Sequence, residues 1–202
     1  MAIDMNLVQL GTAYSQQQLQ TRITTSSTKL WFLQDFIYPK LLEKLFEYIT
    51  TCATLKWHPL KGQEKRNRAE VNWEPESVIE EIHMVYNNLT LDLNLIFDRN
   101  LKFNGIAIWK DGPGYSFGKH QDADCISVAM QVYLIDGPTD LHTKFYFQDQ
   151  ILESTYRKNY GYCMDNLNKL QHGIETPVPK DHVRYSLYAS WDVVKQVHVQ
   201  HN

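Results

Sequence analysis

Four side chains in the second half of the chain have the types and spacing to do chemistry together: His120, Asp122, His172 and Arg184. In Lys119-His120-Gln121-Asp122 an imidazole and a carboxylate stand two residues apart, so on an extended strand both project to one side. A second imidazole lies in Gln171-His172-Gly173. Two imidazoles and one carboxylate can occupy one face of a divalent transition metal and leave the other positions open to small molecules. Further on, Arg184 and Ser186 share a face of the strand Val183 to Trp191. A planar guanidinium with a hydroxyl beside it suits a carboxylate gripped by parallel hydrogen bonds.

Alone, the His-x-Asp triplet has little weight. With 8 histidines among 202 residues, chance places roughly one such triplet in every two chains of this composition. Its context gives it meaning: it follows the turn Asp111-Gly112-Pro113-Gly114, and both the His-Gly pair and the Arg-x-Ser strand lie downstream. Two histidines and one carboxylate with open positions form the pattern of non-haem Fe(II) oxygenases. Asp124, Cys125, His198 and His201 are weaker candidate ligands, the last two in a polar tail. Lys180 rivals Arg184 as a carboxylate anchor, but a residue in the turn after Pro177-Val178-Pro179 is held less rigidly than one on a strand.

These groups need a scaffold. Leu30-Trp31-Phe32-Leu33 reads as an apolar strand, and apolar positions at 41, 42, 45, 46, 48 and 49 predict a helix opening near Pro39. Residues 57–72, with Lys61, Lys65, Arg66 and Arg68 beside Glu64 and Glu70, read as a solvated loop of mixed sign. Val78, Ile79, Ile82, Val85, Tyr86 and Leu89 predict a second helix after Pro75, with His83 packed near its apolar face. Short strands are expected at 104–110, 115–121, 125–135, 143–148, 160–165, 170–174 and 183–191, which favours an antiparallel sandwich or barrel. The fold class is therefore α+β, mainly β, with N-terminal supporting helices. Residues 1–28, rich in Gln, Ser and Thr, read as a flexible lead-in, and 29–202 as a single domain.

Composition narrows the classes. A net charge of −3 argues against a general binder of nucleic acid or membrane surfaces. No stretch approaches the length of a membrane span, and no basic-then-apolar leader opens the chain. Cys52, Cys125 and Cys163 are too widely and irregularly spaced for a disulfide framework or a zinc motif, which fits a reducing cytoplasm. Trp57, Trp73, Tyr115, Phe117 and Tyr146 could line a cleft, although aromatic residues in such folds are usually core.

From Leu30 to Trp191 the chain resembles the 2-oxoglutarate- and Fe(II)-dependent dioxygenases, and within them the prolyl-4-hydroxylase-like branch. Leu30 to Ile37 resembles that branch's opening strand, Trp109 to Asp122 its Tyr-x-x-Gly…His-x-Asp segment, and Thr143-Lys144-Phe145 its Gly-Gly-x-Thr-x-Phe segment. Gln171-His172-Gly173 is similar to the distal ligand, and Arg184-Tyr185-Ser186-Leu187 to the Arg-x-Ser strand. The resemblance implies a double-stranded β-helix, or jelly roll, with Fe(II) on His120, Asp122 and His172. It implies 2-oxoglutarate with its far carboxylate on Arg184 and Ser186, a contact from Tyr133, and Trp109 where many relatives place a second hydroxyl. It further implies dioxygen as cosubstrate, ascorbate as reductant, release of succinate and CO2, and hydroxylation of a prime substrate, peptidyl proline or another protein side chain. His142 replaces a usual glycine, and the interval from His172 to Arg184 is about two residues longer than is common. Arg184 is followed by no second arginine, unlike the nucleic-acid demethylase branch. The competing readings are a hydroxylase of a small metabolite and a non-catalytic β-sandwich binding module whose histidines are incidental.

Overall fold

Two antiparallel sheets face each other, and two helices cover the outer side of the larger one. The computed structural model describes residues 24–25, 28–71, 74, 77–147, 150–167 and 170–194. In chain order the elements are β1 (Thr24–Thr25), β2 (Thr28–Leu33), α1 (Pro39–Thr51), β3 (Lys56–Leu60), β4 (Gln63–Glu70) and α2 (Val78–Phe97). There follow β5 (Leu101–Asp111), β6 (Phe117–His120), β7 (Val128–Tyr133), β8 (Lys144–Phe147), β9 (Gln150–Glu153), β10 (Gly161–Asp165), β11 (Gln171–Ile174) and β12 (Arg184–Val193). The larger sheet runs β1-β2-β10-β7-β12-β5-β4-β3, and the smaller β6-β11-β8-β9. Most of the expected lead-in, residues 1–23 and 26–27, lies outside the described residues, as do Trp73, Pro75, His198 and His201.

Helix α1 starts on Pro39, whose missing N–H costs nothing in a first turn, and buries Leu41, Leu42, Leu45 and Ile49. Helix α2 is capped by Ser77, whose Oγ accepts from Glu80 N at 3.2 Å, and Glu80 and Glu81 complement the positive end of its dipole. It runs on to Phe97 and closes with Asp98 in the left-handed conformation. His83 packs against Phe103 at a ring separation of 4.9 Å, as a histidine near an apolar face should.

The alternation along the strands divides the larger sheet into two faces. Ile106 and Ile108 of β5, Met130 and Val132 of β7, and Leu187, Ala189 and Trp191 of β12 join the helices in the main core. The intervening residues, including Asp111, Gln131, Tyr133, Arg184 and Ser186, are buried on the other side. That polar face looks toward the smaller sheet.

Residues 57–72 correct an expectation, since 56–70 form the β3–β4 hairpin and not a loop. The hairpin continues the larger sheet beyond β5. Its strands are polar or exposed at most positions, so they lack the apolar alternation that marks a strand in sequence. β9, also mostly exposed, likewise gives no such signal. Among the described residues, no helix is long and apolar enough to cross a membrane.

Trp191 is fully buried, donates from Nε1 to Thr90 Oγ1 at 2.9 Å, and packs on Tyr86 and Phe103. Trp191→Ala is expected to lower unfolding free energy by about 3–5 kcal/mol, measured by urea denaturation. A loss below about 1 kcal/mol would mean that β12 is not pinned to α2 through this side chain.

Candidate metal and anion site

His120 ends β6, and His172 lies directly opposite it on β11 in the antiparallel register. Their rings stand 4.3 Å apart. Asp122, two residues beyond β6, brings Oδ1 to 3.8 Å from His120 Nε2 and 3.6 Å from His172 Nε2. One ligand atom from each of the three lies within 4.8 Å of the other two. The register thus unites groups that are fifty residues apart in the chain.

The far ring nitrogens show which face of each imidazole is free. His120 Nδ1 is 2.9 Å from Gly118 O, and His172 Nδ1 is 3.3 Å from Leu170 O. A carbonyl only accepts, so both Nδ1 atoms donate, and in a neutral imidazole each Nε2, facing the Asp122 carboxylate, is then the lone-pair atom. Burial holds the His172 imidazole below its ordinary pKa; Asp122 opposes that shift and His120 reinforces it. The gaps of 3.6 and 3.8 Å are too long for a side-chain hydrogen bond. Lone pairs facing a carboxylate across such gaps fit a cation held between them, with backbone carbonyls fixing the tautomers as metal-binding histidines require. Tyr188 Oη points at Asp122 Oδ2 from 3.4 Å. Burial first, and Asp122 second, push this phenol well above its ordinary pKa, so it is a donor to the carboxylate.

The triad opens into a cleft of about 500 Å3, whose walls include Trp109, Phe117, Ile126, Tyr162 and Ile174. Among the aromatic residues considered from sequence, Phe117 reaches it. Tyr115 is buried with its hydroxyl donating to Gln63 Oε1 at 3.0 Å, Trp57 packs on Tyr185, and Tyr146 is bonded to Glu175 on the outside. Neither Asp124 nor Cys125 joins the metal-ligand cluster, and Lys180 is exposed in its turn.

Arg184 is fully buried on β12, with Cζ 5.0 Å from the centroid of the Tyr133 ring. Burial alone works against its charge, but Asp111 beside it overrides this and holds the guanidinium firmly protonated. Nη1 donates to Asp111 Oδ2 at 2.6 Å, whereas Nε and Nη2, and the hydroxyl of buried Ser186, have no hydrogen-bond partner among the described residues. Orphan donors in such a place are costly, and their grouping fits a carboxylate. Tyr133 directs its hydroxyl to Thr143 Oγ1 at 3.0 Å and to Ser154 Oγ at 2.5 Å. Trp109 has no hydroxyl to offer; it forms an aromatic wall, with Arg66 5.3 Å and Arg68 5.8 Å from its ring centroid.

Two residues stand here without notice from the sequence. Asp111 reads as the first residue of a turn and Arg66 as part of a solvated loop, yet Arg66 clasps Asp111 with Nε at 2.6 Å and Nη2 at 2.9 Å. The hairpin is tied down nearby by Gly112 N to Lys65 O at 2.8 Å and by Lys65 Nζ to Gly114 O at 3.1 Å. The sequence signal was present only as an acidic residue at the end of an apolar strand, with no neighbour to pair it.

The fold matches that of solved oxygenases at low sequence identity. A prolyl-4-hydroxylase from Pseudomonas putida superposes with a TM-score of 0.64 at 15% identity, over 82% of this chain and 93% of that one. HygX from Streptomyces hygroscopicus, solved with nickel, 2-oxoglutarate and hygromycin B bound, gives 0.63 at 12% identity over 90% and 88%. The viral collagen prolyl hydroxylase of Paramecium Bursaria Chlorella virus-1, in its 2-oxoglutarate complex, gives 0.57 at 15% over 82% and 96%. No family model and no curated protein matches the sequence. These likenesses establish the expected jelly-roll architecture.

The histidine pair depends on a close strand contact. A Cβ on Gly173 would lie 2.8 Å from Phe117 O and 2.9 Å from Gly118 C, both backbone atoms of β6 or its edge. Gly173→Ala should therefore cost about 1–3 kcal/mol and shift the ring resonances of His120 and His172 in NMR spectra while leaving those of His83 in place. Unshifted signals from both ligand histidines would contradict the tight β6–β11 contact.

Proposed function

We propose that the protein is a 2-oxoglutarate- and Fe(II)-dependent oxygenase that hydroxylates a protein side chain, with peptidyl proline the foremost substrate. One observation carries this reading: three metal-ligand atoms converge within 4.8 Å in a cleft that Arg66 also lines, and Arg66 is joined through Asp111 to Arg184, a buried arginine with two nitrogens unpartnered among the described residues. His120, Asp122 and His172 would hold the metal, leaving positions open to the cleft. Fe(II) bound there would supply dioxygen activation coupled to oxidative decarboxylation of 2-oxoglutarate, giving succinate, CO2 and a hydroxylated substrate, with ascorbate keeping the metal reduced.

The chain's own residues position and enclose. The backbone carbonyls of Gly118 and Leu170 fix the two imidazoles, and Tyr188 orients Asp122. Arg184 and Ser186 would receive the far carboxylate of 2-oxoglutarate, Arg184 through parallel hydrogen bonds. The Tyr133 ring stands against the guanidinium, its centroid 5.0 Å from Cζ. Trp109, Phe117, Ile126 and Ile174 would exclude water from the reacting centre. Asp122 supplies a carboxylate where related halogenases leave room for chloride, which favours hydroxylation.

The fold shared with two prolyl hydroxylases supports a peptide substrate, and the hygromycin B complex of HygX keeps a small molecule as the rival. The net charge of −3 and the absence of a second arginine after Arg184 count against nucleic acid. Three free thiols support the cytoplasm as the compartment.

Purified protein with Fe(II), ascorbate and 2-oxoglutarate is expected to release succinate slowly without prime substrate and faster with a proline-containing peptide that fits the cleft. His120→Ala, Asp122→Ala and His172→Ala should each weaken divalent-metal binding by more than about a hundredfold, measured anaerobically. Arg184→Gln should raise KM for 2-oxoglutarate and leave metal affinity unchanged. Metal binding that survives all three alanine substitutions, with no succinate from the wild type, would sink the proposal.

A further inference from the structure

Across β4, β5 and β12 the register sets Arg66 opposite Asp111 and Asp111 opposite Arg184. Three charged side chains therefore stand in one row on the polar face of the larger sheet. Asp111 is fully buried and accepts three hydrogen bonds, two from Arg66 and one from Arg184. Two guanidiniums and one carboxylate leave the row with one net positive charge.

That surplus matters for what the row can hold. Asp111 with Arg184 alone would be a neutral pair, and its carboxylate would repel an anion brought to the free nitrogens of Arg184. Arg66 takes two of the acceptor positions on Asp111 and offsets its charge, so the field felt at Arg184 Nε, Arg184 Nη2 and Ser186 Oγ stays attractive to a carboxylate. Arg66 also lines the cleft and is seated on two rings, 4.5 Å from the centroid of Tyr115 and 5.3 Å from that of Trp109. Its side chain is 13% exposed, so the guanidinium is held in place.

We propose that Arg66, acting through Asp111, is a positioning residue of the cosubstrate site: the β3–β4 hairpin supplies the second guanidinium that lets Arg184 and Ser186 hold the far carboxylate of a dicarboxylate. The inference rests on the oxygenase reading and adds to it an element outside the metal-bearing strands. It makes cosubstrate affinity depend on the seating of the hairpin. It also separates two classes of 2-oxo acid, because only a dicarboxylate has a second carboxylate to feel the row.

The test uses the full chain loaded with Mn(II), titrated calorimetrically with 2-oxoglutarate and with 2-oxobutyrate, which lacks the far carboxylate. Arg66→Gln should weaken 2-oxoglutarate binding by about tenfold, the order expected of one unit charge across several ångströms of partly buried protein. Arg66→Lys, which keeps the charge but not the fork, should lose less, about threefold. In either variant affinity for 2-oxobutyrate and for Mn(II) should change less than affinity for 2-oxoglutarate, and Mn(II) binding with thermal melting reports that each is folded. Unchanged 2-oxoglutarate affinity in both variants, or equal losses for the two acids, would overturn the inference while the oxygenase reading stands. If Arg66→Gln does not fold, a Lys variant that binds both acids as the wild type does overturns it equally. A wild-type protein that binds Mn(II) but no 2-oxoglutarate overturns the oxygenase reading, and this inference with it.

Discussion

The pairing of β6 with β11 is the constraint on which the site depends. It sets His120 opposite His172 with their free nitrogens on one side, and it needs Gly173, because the β6 backbone leaves no room for a side chain there. Slipping this register by one residue would turn one imidazole to the far face of the smaller sheet. The larger sheet and its helices are the heavy support that makes so short a pairing reliable. Phe145, fully buried, shows how: it packs on the His172 ring and on Tyr162 of the larger sheet, joining the two layers beside the ligand.

The cleft has two poles of opposite chemistry. Asp122 and the lone pairs of two imidazoles make one end suited to a cation. Arg66, which lines the cleft, is the near end of a row that runs through Asp111 to buried Arg184 and makes the other suited to an anion. Aromatic and aliphatic side chains share the lining, so each pole acts in a medium of lower dielectric than water. A bifunctional anion that can also bind a metal would satisfy both poles at once. The tyrosines strengthen this separation: Tyr188 donates to the negative pole, and the rings of Tyr133 and Tyr156 lie beside the Arg184 guanidinium, with their centroids 5.0 and 5.8 Å from its Cζ.

What could be read from sequence follows from how far each interaction reaches along the chain. The two helices announce themselves because burial recurs every three or four residues, and Pro39 marks a start by local sterics alone. His120 and Asp122 are legible because their relation is local, two residues on one strand end. His172 and Arg184 add residue types that seldom serve packing. The hairpin was hidden because an edge ribbon with solvent on one side and a polar cleft on the other has no apolar rhythm. Asp111 was hidden because its partners lie 45 and 73 residues away. Beside a Gly-Pro-Gly turn, an aspartate has a sufficient local explanation, and nothing in the string says that the side chain turns inward.

The charge row is also an argument about cost. Burying a carboxylate beside two guanidiniums forfeits several kcal/mol of hydration per ion, and apolar residues of similar volume would often be at least as stable. A row built for stability alone would balance its charges and satisfy its donors. This one does neither: it keeps a surplus positive charge and leaves two nitrogens of Arg184 and the Ser186 hydroxyl without partners among the described residues. The unmatched donors belong to the arginine at one end of the row and to the serine two residues on, so an anion held there would offset their cost. Stability is thus spent on the same groups that would give the cleft its preference for a dicarboxylate.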